Sequence, residues 1–185
     1  MVQIKGSVLL DSITGIQRRD GERGLEEIIA MLDGDTKKMF QTTVSASTWY
    51  PLDLFVRFLA VELKKSAGGN EEVLVTRAEK LVERQLRGVY KIFIKFGSPE
   101  FLMKRLTAVN ITYFTGVQAD VQVTGPGKLT IRFTGFEKQH RLMGFALIGF
   151  FRKALELSGS ANRQVRFTTP IEAGEKFAEM LVSWS

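Results

Sequence analysis

Val117-Gln118-Ala119-Asp120-Val121-Gln122-Val123-Thr124-Gly125-Pro126-Gly127-Lys128-Leu129-Thr130-Ile131-Arg132-Phe133 is where the hydrophobic period of this 185-residue chain changes. Before Gly116 apolar residues recur every three or four positions, whereas here they recur every second one. Val117, Ala119, Val121 and Val123 alternate with polar neighbours, as do Leu129, Ile131 and Phe133. Alternation of this kind marks a strand with one buried face, and Gly125-Pro126-Gly127 supplies the turn between two such strands. A hairpin is predicted.

Downstream, Leu142 to Phe151 holds ten residues without a charge, bounded by Arg141 and Arg152. As a helix that run is ~15 Å long, half of the ~30 Å hydrocarbon thickness of a bilayer. It reads as a buried helix, not a membrane span. A strand is predicted at Gln164 to Thr168, a turn at Glu172-Ala173-Gly174-Glu175 and a last strand at Lys176 to Trp184. A helix stays open for that last segment, because Phe177, Met180 and Leu181 also share helical spacing.

Upstream the reading is helical. Leu25, Ile28, Ile29 and Leu32 fall on one face, Asp33-Gly34 breaks the run, and Asp35 is placed to cap a further turn. Pro51 forbids helix just before itself and tolerates it after, so Leu52, Phe55, Val56, Leu59 and Leu63 form the face of a helix ending near Gly68. A longer helix is predicted from Glu71 to about Phe96 along Leu74, Ala78, Leu81, Gln85, Val89, Ile92 and Phe96. Ser98-Pro99-Glu100 starts another, with Ser98 as cap. The expected fold class is therefore α+β: N-terminal helices, then a mostly antiparallel sheet of two hairpins crossed by one long apolar helix. One domain is expected over 1–185, with a helical part at 1–115 and a hairpin-helix-hairpin part at 116–185.

Composition narrows the chemistry. With no Cys there is no disulfide, thiolate nucleophile or Cys-ligated metal, and with one His, His140, no site built on two imidazoles. An enzyme reading would rest on a cofactor-free reaction using His140, or Glu137 near it, and has little support. The Gly125 to Thr130 segment lacks the first glycine of a phosphate loop and runs into a strand, so it reads as a turn. The chain is read as non-enzymatic. Twenty-six Lys and Arg against twenty Asp and Glu give +6, and the surplus lies beyond residue 70. Lys80, Arg84, Arg87, Lys91 and Lys95 make a basic ridge on the helix at 71–96, the candidate surface for nucleic acid or another polyanion. Interleaved Glu79 and Glu83 favour a solvated or partner-facing ridge over that use. The short apolar run Val8-Leu9-Leu10 is cut by Asp11, too early for a signal-peptide core, and a cytoplasmic location is expected.

The opening Ile4-Lys5-Gly6-Ser7-Val8-Leu9-Leu10 and the closing strand-helix-hairpin block resemble a bacterial, myxobacterial-type family. That family is related to haem nitric-oxide-binding domains, 4-vinyl-reductase domains and Bet3-type trafficking subunits. The resemblance extends over nearly the whole chain and implies an apolar space between helices and sheet. Its haem-binding members hold iron through a His on the helix before the hairpin, and Phe101 to Asn110 has none. Their Tyr-x-Ser-x-Arg propionate motif falls on Phe133, Gly135 and Glu137, which lack the hydroxyl and reverse the charge. No cofactor is therefore expected, haem included. The resemblance implies a non-catalytic, sensor-like regulatory module that takes an apolar small molecule or a protein partner, with a homodimer through a helical face as a further expectation. Phe133, Phe136, Gly144, Phe145, Ile148 and Gly149 are the candidate pocket residues. A scaffold-type dimerisation subunit without ligand is the remaining alternative.

Overall fold

A computed structural model describes residues 1–86 and 98–185. By packing the chain divides into two units, Met1–Glu71 with Tyr113–Gly116, and Glu72–Thr112 with Val117–Ser185.

The first unit begins with strand β1 (Gln3–Lys5) and helix α1 (Gly6–Ala30), which kinks at Gly21, where φ is 73°. Helix α2 (Gly34–Lys38) follows. Its cap is Asp33, not Asp35: the Asp33 carboxylate accepts the Thr36 N–H at 2.8 Å, while Asp35 pairs with Lys38. A capping carboxylate must stand just outside the first turn to reach an N–H three residues on, and Asp35 is already inside it. Strand β2 (Trp49–Pro51) leads into α3 (Leu52–Ala67), started after Pro51 and stopped at Gly68 as predicted. β1 lies between β2 and β3 (Phe114–Thr115) in a three-stranded antiparallel sheet that the sequence reading did not foresee. Ile4, Leu9, Ile28, Leu52, Phe55, Phe58 and Leu63 form the core. Glu62, 2% exposed, accepts hydrogen bonds from Arg19 Nη2 at 2.7 Å and Ser66 Oγ at 2.8 Å, so its buried charge is paired and joins α1 to α3.

The second unit contains helices α4 (Val73–Leu86) and α5 (Pro99–Ile111), the hairpin β4 (Gln118–Gly125) and β5 (Lys128–Thr134), helix α6 (Leu142–Leu157), and strands β6 (Gln164–Thr169) and β7 (Ala178–Ser183). Helices assigned on sequence to the helical part thus pack with the sheet. The Ser98 hydroxyl accepts the Phe101 N–H at 3.2 Å and caps α5. All neighbours in the sheet are antiparallel, in the order β4-β5-β7-β6, which makes β7 a strand and settles the choice that its spacing left open. The register puts Ala119, Val121 and Val123 on the same face as Phe133, Ile131 and Leu129, and these share it with Ala178, Met180 and Val182. On β5 and β7 that row is buried; burial there stabilises each large side chain by roughly 1.5–3 kcal/mol.

The hairpin closes through Gly127, with φ of 64°, where a Cβ would stand 2.2 Å from the Trp184 carbonyl oxygen. That turn admits no side chain for both reasons. Helix α6 packs most extensively on α4. Gly149 makes the crossing possible: a Cβ there would lie 2.2 Å from the Val75 carbonyl oxygen and 2.9 Å from Ala78 Cβ. No helix among the described residues is long and apolar enough to cross a membrane.

Candidate functional site

Two of the aromatic residues singled out on sequence, Phe133 and Phe136, meet on the sheet, together with Phe151 and Phe167. Phe133, 1% exposed on the inner face of β5, has its ring 6.2 Å from Phe136, 6.5 Å from Phe151 and 6.4 Å from Phe167. Gly144 faces the Phe167 ring, 3.4 Å from where a Cβ would stand. Protein atoms therefore make the close approach at both glycines: an aromatic edge at Gly144 and the backbone of α4 at Gly149. Phe136, Phe145 and Ile148 are half-buried, and Phe145 and Ile148 lie three residues apart on one face of α6.

His140 is 2% exposed and belongs to the helix entry. Its Nδ1 accepts the Glu137 backbone N–H at 3.0 Å, and the Glu137 carboxylate accepts the His140 backbone N–H in return. This is a capping box with an imidazole in place of the usual carboxylate or amide at the third position. Gln139 Nε2 donates to Glu137 Oε2 at 2.8 Å. The two residues named as candidates for acid-base chemistry thus hold each other at the entry to α6.

The outer face of the same sheet carries a group of residues that the sequence reading passed over. A shallow cleft of about 250 Å³ is lined by Gln118, Ala119, Asp120, Arg132, Thr134 and Phe177. The Arg132 guanidinium sits 4.8 Å from the Phe177 ring centroid and donates to Glu179 at 2.7 Å. Thr168 Oγ1 donates to Glu179 at 3.0 Å. Arg132 above all, with Thr168, holds the Glu179 carboxyl below its ordinary value. Only the register, with Arg132 opposite both Asp120 and Glu179, brings these groups together.

Of the basic ridge, Lys80 and Arg84 lie exposed on α4; Arg87, Lys91 and Lys95 lie outside the described residues. Glu79, interleaved among them, is paired with Arg152 of α6, so part of the acidic counterweight faces a neighbouring helix. Among the described residues no group of three His, Asp or Glu is placed to hold a metal ion.

No protein-family model matches the chain, and no curated protein sequence does. Solved structures do. An H-NOX protein from K. algicida in the Fe(II) unliganded state matches with a TM-score of 0.71 at 13% identity, covering 98% of this chain and 97% of that one. The chain has the H-NOX fold. An H-NOX protein from S. oneidensis in the Fe(II)NO ligation state matches with a TM-score of 0.72 at 12% identity, covering 98% and 99%. A third H-NOX structure, from work on heme distortion in that family, gives 0.68 at 11% identity, covering 98% and 94%. Mixed α+β architecture with helices followed by an antiparallel sheet is thereby established, and the kinship with haem nitric-oxide-binding domains holds at the level of fold.

The expectation of no cofactor is corrected by these neighbours. Proteins sharing the fold along their whole length are solved with iron in defined ligation states, so haem can no longer be set aside for this chain. The residues themselves do not supply the donor set that the resemblance named: among the described side chains of α5 the buried ones are Leu102, Met103, Leu106 and Thr107, and the single imidazole is engaged at Glu137. An H-NOX fold is present without the histidine that the resemblance names on that helix.

Proposed function

We propose that the protein is a non-catalytic sensor-type module that binds a small apolar molecule, haem among the molecules to be tried. Full-length agreement with H-NOX folds carries the reading. His140 adds to it, since its buried ring serves the turn before α6. The proposed contact surface is drawn from the candidates that keep some exposure, Phe136, Phe145 and Ile148; Phe133 and Gly144 are enclosed by protein, and Gly149 is closed off by the backbone of α4. Half-buried aromatic and aliphatic side chains beside a packed core are what an apolar ligand displaces water from.

The test is native mass spectrometry and visible absorption of freshly purified protein, followed by titration with haem and with a lipophilic fluorescent probe. Expected is a retained or titratable ligand whose binding weakens about tenfold or more in a Phe145→Ala/Ile148→Ala variant, as the loss of two apolar contacts implies. Protein that carries nothing and takes up neither haem nor probe would overturn the proposal.

A further inference from the structure

The cleft on the outer face of the four-stranded sheet holds polar groups that the fold leaves unused. Asp120 of β4 stands directly opposite Arg132 of β5 on that face, with Cβ atoms roughly 4.5–5.5 Å apart. Opposite charges in such a pair gain from contact, yet these two form no ion pair. The guanidinium is turned towards β7 instead, where Nε donates to Glu179 and the group lies over the ring of Phe177. Its Nη1 and Nη2 are left without a protein partner among the described residues, and so is the Asp120 carboxylate. The Gln118 amide and the Thr134 hydroxyl, the next cross-strand pair and part of the same lining, make no side-chain hydrogen bond either. All four residues are exposed.

We infer that this cleft is a binding site for a small zwitterion of the amino-acid class, a molecule whose ammonium and carboxylate lie a few bonds apart. The ligand carboxylate accepts from the free Nη groups of Arg132, the ammonium donates to Asp120, and Gln118 and Thr134 add hydrogen bonds beside them. Charge selects this class over simpler ions. A lone anion at Arg132 meets the carboxylates of Asp120 and Glu179 as like neighbours, and a lone cation at Asp120 meets the guanidinium; a zwitterion sets each of its charges against the opposite one. Arg132 is also held in place before any ligand arrives, by Glu179 on one side and Phe177 below, which lowers the cost of ordering it. The cleft volume of about 250 Å³ falls below the roughly 300–1,000 Å³ of sites for drug-sized ligands and suits a smaller one. This site is on the opposite face of the sheet from Phe133 and stands whether or not the aromatic side takes a ligand.

The test is a backbone-amide NMR titration of the full chain with glycine, β-alanine and γ-aminobutyrate, and with propionate and ethylamine as the two halves of such a ligand. At least one zwitterion is expected to shift the amides of Gln118 to Asp120 and Arg132 to Thr134 saturably, and to bind about tenfold more tightly than either half. Asp120→Asn should weaken the zwitterion by about tenfold and leave propionate no weaker, with circular dichroism unchanged, because that carboxylate has no protein partner to lose. Arg132→Lys keeps a cation for Glu179 but loses the planar fork, and should weaken both the zwitterion and propionate. The absence of any saturable shift up to about 100 mM ligand, a zwitterion held no more tightly than its halves, or an Asp120→Asn protein that binds it like wild type would overturn the inference.

Discussion

The inner and outer faces of the four-stranded sheet use alternate residues of the same strands, yet they follow different physics. On the inner face Leu129, Ile131, Phe133, Ala178, Met180 and Val182 are almost wholly excluded from water. On the outer face Arg132, Glu179, Thr168 and Phe177 form a partly solvated network whose strongest member is one ion pair. The first face is stabilised by area and volume, which tolerate little change. The second gains a few tenths of a kcal/mol per contact, and those contacts respond to pH and salt.

Substitutions on the two faces should separate by nearly an order of magnitude. Phe133→Ala, which empties a site bounded by three aromatic rings, is expected to lower unfolding free energy by about 3–5 kcal/mol in a urea titration. A loss below about 1 kcal/mol would break the comparison on the inner side. Gly149→Val, at the crossing of α4 and α6, should lower stability by about 1–3 kcal/mol, because the Val75 carbonyl and Ala78 must move aside. His140→Ala leaves the Glu137 N–H without its ring acceptor at the entry to α6, for an expected loss of about 1–2 kcal/mol. Glu179→Gln on the outer face should cost only about 0.5 kcal/mol at neutral pH. The folded protein holds the Glu179 carboxyl below its unfolded value, so its contribution is present above the ordinary carboxylate range and lost as pH falls through the lowered value. The gap between wild type and Glu179→Gln should therefore close in acid. A gap that widens would show that the carboxylate is not stabilised by Arg132.

How far the sequence disclosed the molecule follows from the same contrast. The inner face was legible because alternation of apolar side chains is a local property: Val117 to Phe133 announces the hairpin by itself. So do Ser98, which caps the helix after it, and Pro51, which fixes a helix start. The three-stranded sheet was hidden because β1, β2 and β3 are two or three residues long, too short to show a period, and Ile4 meets Tyr50 and Phe114 only after the chain has folded. The outer-face network was hidden for the related reason that Arg132, Asp120 and Glu179 are polar residues at ordinary surface positions until register aligns them. The polar pairing of His140 with Glu137 was nearer to hand, since a carboxylate three residues before an imidazole at a helix entry is the spacing of a capping box. Haem is a different case. The two missing motifs are local, whereas the likeness to iron-containing structures lies in the architecture of the whole chain.

The crossing at Gly149 has a mechanical consequence. Most helix pairs meet through side chains that pivot between rotamers and absorb a small displacement. Here the backbone of α6 rests on a carbonyl of α4 with nothing compliant between them, and protein interiors yield little under compression. At this one point a displacement of α6 bears on the α4 main chain directly, without a side chain between to take up the slack.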